Sequence, residues 1–306
     1  MKRPFIVGLG AAVAVATVLT LVGCGGNPLS SDGVAAGSGS KAQLIIGSAD
    51  FAESQIIANI YSQALQHAGV NVKEQFNIGS REVTMAALKD GSLDLMPEYS
   101  SSLLRYLDQK SKASTPDDVL KELTAKLPTE LSLLDVSKAT DNDVVAVTRV
   151  TADKYNLTKI SDLAAVGKNI SLGGPPEWKT RYNGLLGLQE LYGISFKEFA
   201  TLDAGGPLTM TALTSGQVQA GDIFSTDPGI KANDLVVLQD DKGLFSEESV
   251  VPVITTAHVT NLIKKTLNAV SSKLTTDDLI AMNGKAATGA KQSDIAKEWL
   301  KGAGLI

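Results

Sequence analysis

The chain has 306 residues, 43% of them hydrophobic, a formal net charge of −5 and a single cysteine, Cys24. That length supports one large core or two medium ones. The acid excess without a basic run argues against nucleic acid or an acidic membrane surface as a partner, and a lone cysteine excludes an internal disulfide.

In chain order, Lys2 and Arg3 precede the apolar run "FIVGLGAAVAVATVLTLVG", which reads as a signal peptide over 1–23. It ends in Leu21-Val22-Gly23-Cys24, the spacing of a bacterial lipobox. Small residues before the cysteine let a peptidase reach the backbone, and the thiol then carries lipid. Several acyl chains on Cys24 would anchor the protein stably where one chain would be marginal. Residues 24–41 are rich in Gly and Ser and behave as a flexible tether. The expectation is a lipid-anchored protein on the extracytoplasmic face of the cell membrane.

From residue 42 onward, short apolar runs alternate with longer amphipathic segments. "AQLIIGS" (42–48) reads as a strand, and 53–69 carries Ile56, Ile57, Ile60, Ala64 and Leu65 at helical spacing with Gly69 as a stop. "VNVKEQFNI" is a second strand, "REVTMAALKDG" a short helix ending at Gly91, and "SLDLMP" a third strand stopped by Pro97. The alternation predicts an α/β fold with a largely parallel sheet. It recurs at 168–174, in a helix over 181–193, and in "PLTMTALTSG" and "QVQAGDIF". After "VVPVITT" (250–256), helices are predicted over 259–272, 275–288 and 291–302.

An internal repeat underlies this order. "TMAALKDGSLDLMPEYS" (84–100) aligns without a gap on "TMTALTSGQVQAGDIFS" (209–225), matching Tyr99-Ser100 to Phe224-Ser225. Two similarly built lobes place a ligand between them, at the carboxyl ends of the strands. Tyr99 and Phe224 both stand at such a strand-to-helix junction.

Catalytic chemistry finds little support. The two histidines, His67 and His258, are isolated, and no zinc-protease, phosphate-loop or nucleophile-elbow motif occurs. No catalytic residue, metal site or cofactor is expected, and the chain is read as a non-enzyme. A lipoprotein hydrolase, the alternative class, would need a base–nucleophile pair that cannot be found.

"IIGSADFAESQIIANIYSQAL", "DGSLDLMPEYSSSLL", "RYNGLLGLQELYG" and "FSTDPGI" resemble the osmoprotectant-binding lipoproteins of ABC importers, the ProX-like, OpuAC-type receptors of glycine betaine, choline and carnitine, nearest in wording to the actinobacterial branch. The likeness spans nearly all of 42–306. It implies a two-lobed periplasmic-binding-protein-like (type II) fold with two chain crossings as a hinge. Lobe 1 would be 42–142 plus 253–306, and lobe 2 would be 143–252. It also implies a small-molecule solute, an ABC permease with its ATPase as partners, and a monomeric receptor.

Members hold a quaternary ammonium in a box of tyrosines, because ring faces attract a cation that cannot donate hydrogen bonds. Carried over by motif, Tyr99 is one box tyrosine, Ser102 stands at a hydroxyl contact, Arg181 is the partner of a ligand carboxylate, and Phe224 replaces a second tyrosine. Val144 and Glu248 stand where two further tyrosines are expected, and Ala49 where some relatives carry a polar contact. Trp178 lies in a loop that could line the cleft, and Glu248 could oppose a cation. A bulkier or aromatic solute is the runner-up ligand, with Val144 clearing space and Phe224 stacking.

Overall fold

The computed structural model describes residues 43–306. The signal peptide, Cys24 and the tether lie outside the described residues.

The first sheet contains β1 (Leu44–Gly47), β2 (Val72–Gln75), β3 (Leu95–Tyr99), β4 (Leu131–Leu133) and β10 (Val250–Thr255) in the order β2-β1-β3-β10-β4. β1 runs parallel to β2 and β3, whereas β10 is antiparallel to β3 and β4. The second sheet contains β5 (Asp143–Thr148), β6 (Ser171–Gly174), β7 (Glu198–Thr201), β8 (Ala220–Phe224) and β9 (Leu235–Val237) in the order β7-β6-β8-β5-β9. β6 is parallel to β7 and β8, and β5 is antiparallel to β8 and β9. The two orders are the same, with β5 taking in one sheet the place that β10 takes in the other.

Helix α1 (Ala52–His67) turns Ile56, Ile57, Ile60, Ala64 and Leu65 into the largest core, where they meet Leu267, Ile295 and Leu300 of the C-terminal helices. Each of the isoleucines and leucines contributes about 1.5–3 kcal/mol on burial. Those helices, Asn261–Lys273, Thr276–Ala287 and Gln292–Gly302, pack on α1 and therefore stand with the first sheet. Thr260 and Thr275 cap the first two, accepting the otherwise orphaned N–H groups of Ile263 and Asp278. Helices α2 (Arg81–Asp90), α3 (Ser100–Leu107) and α4 (Pro116–Lys126) complete this half of the molecule. Among the described residues no helix is long and apolar enough to cross a membrane.

Two expectations need correction. β3 does not stop at Pro97 but continues to Tyr99, because Pro97 stands opposite Pro252 in an antiparallel ladder. A pair in which neither residue has an N–H fits a non-hydrogen-bonded position. The helix predicted over 181–193 is broken: Asn183 and Gly184 leave helical geometry, and only Gly187–Glu190 forms a regular turn beyond them. The cause is tertiary. A Cβ on Gly184 would lie 2.3 Å from the carbonyl oxygen of Trp178, so the backbone passes where no other residue fits.

The chain passes between the sheets twice, and the two passages are hydrogen-bonded to each other. Asp141 N donates to Glu248 O at 3.0 Å, Val250 N to Ala139 O at 3.0 Å and Ser137 N to Val250 O at 2.8 Å. The repeat reappears here as paired clamps. Ser100 N donates to Ser249 O while Ser100 Oγ accepts from Ser249 N; Ser225 N donates to Asn142 O while Ser225 Oγ accepts from Asn142 N.

Leu267 is fully buried against α1 and remote from the space between the sheets. Leu267→Ala should lower unfolding free energy by about 2–5 kcal/mol. Urea denaturation measures this, and solute affinity should stay within about twofold, because a 1.4 kcal/mol change in binding would be needed for tenfold.

Candidate functional site

The carboxyl ends of β1, β3, β6 and β8 converge on a cleft crossed by both interlobe passages. The space between them is about 70 Å³.

Four aromatic residues line this space, and three of them, Phe51, Tyr99 and Phe224, cluster together. Phe51, immediately before α1, lies 5.9 Å from the Tyr99 ring and 5.0 Å from the Phe224 ring, centroid to centroid. Tyr99 ends β3 and Phe224 ends β8, so the wall draws on both sheets. Gly205, at φ +59°, lies so near that a Cβ there would sit 2.6 Å from the Phe224 ring. The Tyr99 hydroxyl donates to Glu53 Oε1 at 2.7 Å, which fixes the ring's tilt. Thr226 Oγ1 donates to Glu53 Oε2 at 2.7 Å, and Asn283 Nδ2 donates to the same oxygen at 2.6 Å. Burial raises the Glu53 carboxyl above its ordinary range despite these donors, and burial together with Glu53 raises the facing Asp141 further.

Charge in the cleft is unequal. Asp50, Glu98, Asp141, Asp143, Glu177, Asp222 and Glu248 line it against Arg81 and Arg181. Arg81 Nε lies 3.0 Å from both Glu98 oxygens, and its Nη2 donates to Oε2 at 2.9 Å, a bidentate pair. Arg181 donates from Nε to Glu82 Oε1 at 3.1 Å and from Nη2 to Oε2 at 3.0 Å, joining the two lobes. Burial alone would raise the Glu82 carboxyl, but the hydrogen bonds from Arg181 and Ser80 outweigh it and hold it down at about 2.

Glu248, 4% exposed, accepts from Ser102 N at 3.2 Å and from Ser102 Oγ at 2.7 Å. Asn183 Nδ2 donates to Ser102 Oγ at 3.0 Å and to Asp143 Oδ2 at 3.4 Å. Burial, with Asp143 beside it, pushes the Glu248 carboxyl up to about 8. Trp178 is buried and stacks parallel to Phe245 at 6.3 Å, with one edge on the cavity.

The structure brings together Ala49, Tyr99, Ser102, Trp178, Arg181, Phe224 and Glu248 at this cleft. It does not bring Val144 there. Val144 pairs with Ile223 and packs with Ala212, Leu213 and Val218 on the far face of the second sheet. Strand residues alternate between faces, so Asp143, one residue earlier, is the one that reaches the cavity. Val144 therefore clears no space for a bulkier solute. Arg181 lines the cleft, but the fork expected for a ligand carboxylate is occupied by Glu82. Phe51, Glu53, Arg81, Glu98, Asp143 and Asp222 were not singled out by sequence reasoning. Phe51 lies inside the quoted "GSADF" stretch, and counting back by two from Phe224 reaches Asp222 on the same face.

A two-lobed α/β receptor with an aromatic, acid-rich cleft is the class this geometry defines. The chain belongs to the family described as the substrate binding domain of the ABC-type glycine betaine transport system, whose model matches residues 42–302. It is 27% identical over 273 residues to the carnitine transport binding protein OpuCC of Listeria monocytogenes, covering 87% of this chain and 88% of that one. It is 31% identical over 234 residues to a glycine-betaine-binding protein of Pseudomonas aeruginosa, covering 72% and 74%. A crystal structure described as a glycine betaine/carnitine/choline ABC transporter superposes with a TM-score of 0.67 at 25% identity, over 86% of this chain and 99% of that one. The two-lobed fold and the role of extracytoplasmic solute receptor of an ABC transporter follow.

Two measurements probe the site. Val144→Ala should leave solute affinity within about twofold, whereas Asp143→Asn should change it by about tenfold, the 1.4 kcal/mol scale of one charge-assisted contact. Equal effects would restore Val144 to the cleft. Glu248 ionises near its ordinary 4.5 in the unfolded chain and near 8 in the native one. Between those values the native state holds the extra proton, so Glu248 stabilises the ligand-free fold at low pH and that stability is lost as pH rises from 4.5 to 8. Thermal unfolding across this window should show a declining Tm, and Glu248→Gln should flatten the decline.

Proposed function

We propose that this protein captures a small quaternary-ammonium solute between its lobes and delivers it to an ABC permease. The observation that carries the reading is the convergence of Phe51, Tyr99 and Phe224 from both lobes in a cleft where acidic side chains outnumber basic ones. Ring faces attract a methylated cation by about 0.5–2 kcal/mol each, more as water is excluded, and the surrounding carboxylates favour the same sign of charge. The carnitine and glycine betaine relatives support this solute class. Lobe 1 is assigned to 42–142 plus 253–306 and lobe 2 to 143–252, with closure about the paired passages. Capture is non-catalytic and the receptor works as a monomer, held at the membrane by lipid on Cys24 and partnered by the permease and its ATPase.

Calorimetry with choline and glycine betaine tests the reading. At least one should give saturable heat, and Tyr99→Ala should weaken it tenfold or more, with Phe51→Ala and Phe224→Ala each costing about 2- to 30-fold. Silence from both, alongside a thermal shift from an unrelated solute, would retire the quaternary-ammonium assignment and keep the receptor.

A further inference from the structure

Three carboxylates, Asp222, Asp143 and Glu248, line the cleft together, and both arginines there direct their hydrogen bonds to other acids. Asp222 is 1% exposed and lines the cavity, yet its Oδ1 has no hydrogen-bond partner among the described residues. Asp143 shares its face of the second sheet, and Glu248 approaches from the second passage. Beside Asp143, the buried indole N–H of Trp178 lies close without an aligned hydrogen bond. Both guanidinium groups are committed elsewhere, Arg81 to Glu98 and Arg181 to Glu82. A buried acceptor without a donor costs about 1–3 kcal/mol, and more when it is charged. Such an acceptor in a residue of the cavity wall is complementary to a donor carried by the solute.

The donor is not a metal ion. No group of three His, Cys, Asp or Glu among the described residues is disposed to hold one. Asp222 precedes Phe224 by two residues on one strand face, a separation of about 7 Å. A solute seated on the rings needs only a short spacer to reach Asp222.

We propose that Asp222, with Asp143 and Glu248, forms a donor-recognising subsite, and that the solute carries a protonated amine opposite its quaternary head where a betaine carries a carboxylate. This rests on the quaternary-ammonium reading above and sharpens it from zwitterion to dication. Burial first, then Asp143, raise the Asp222 carboxyl; Arg181 opposes them, and Glu177 and Glu248 add to the rise. Burial raises Asp143 too, with Arg181 and Arg81 opposing. A cation placed against these raised carboxyls favours their charged form, so its binding is coupled to proton release. A betaine carboxylate placed at the same point finds carboxyl groups beside it, with both guanidinium forks already engaged.

Three trimethylammonium salts of matched spacer test this by calorimetry at pH 7.5: the 3-aminopropyl, propyl and 3-carboxypropyl compounds. The aminopropyl compound should bind at least tenfold tighter than the propyl compound, and the carboxypropyl compound should bind weakest. Asp222→Asn should remove the aminopropyl advantage, bringing the aminopropyl and propyl compounds to within twofold of each other. Repeating the aminopropyl titration in buffers of different ionisation enthalpy should show net proton release. An aminopropyl compound no tighter than propyl overturns the subsite while leaving the quaternary-ammonium reading intact. Heat from none of the three overturns both. The comparison among ligands on the unaltered protein decides the matter even if Asp222→Asn does not fold.

Discussion

Glu53 stands where three parts of the molecule must meet, and the cleft's shape depends on it. The carboxyl stands in the first turn of α1, whose apolar face forms the largest core, so its position is set by that packing. Its two oxygens then take donors from Tyr99 on β3, Thr226 beyond β8 and Asn283 on a C-terminal helix. One side chain thereby orients the aromatic wall, draws the second lobe toward the first and ties the last helices to the opening. A buried carboxyl without such donors would be costly. With them, it converts desolvation into specified geometry, and loss of any one donor loosens several elements together.

The same economy governs the arginines. Sequence motifs suggest an arginine waiting for a carboxylate, but Arg181 spends its fork on Glu82 across the cleft. That pair joins the two halves, and acidic side chains outnumber the arginines lining the space. On the proposed reading, discrimination among solutes rests on repulsion as well as attraction, since an unmatched charge in a buried cleft is costly.

Much of this architecture was legible in the sequence. Period-3.6 and period-2 patterns located α1, the strands and the C-terminal helices, because burial on one face imposes those spacings directly. The repeat of 84–100 in 209–225 located the two aromatic strand ends, and their equivalence extends to the serine clamps. What could not be read was facing and long-range partnership. Val144 and Asp143 differ by one residue, and only the strand register decides which enters the cleft. Glu248 resembled a loop carboxylate until Ser102, 146 residues away, supplied two donors. The helix over 181–193 had adequate local propensity, and it failed because Trp178 occupies the path of an unbroken one.

The matching strand orders carry a consequence for how the chain is made. Each repeat runs through four strands and then sends a fifth into the other sheet: β5 follows the first repeat, and β10 follows the second. Neither repeat can complete its own sheet, which is the arrangement of a strand-exchanged dimer joined into one polypeptide. The second sheet needs only residues 143–237, whereas the first lacks its β10 until residue 255 has left the ribosome. During synthesis the later-encoded lobe can close its sheet first, and β3 waits with an unpaired edge for a strand more than 150 residues downstream.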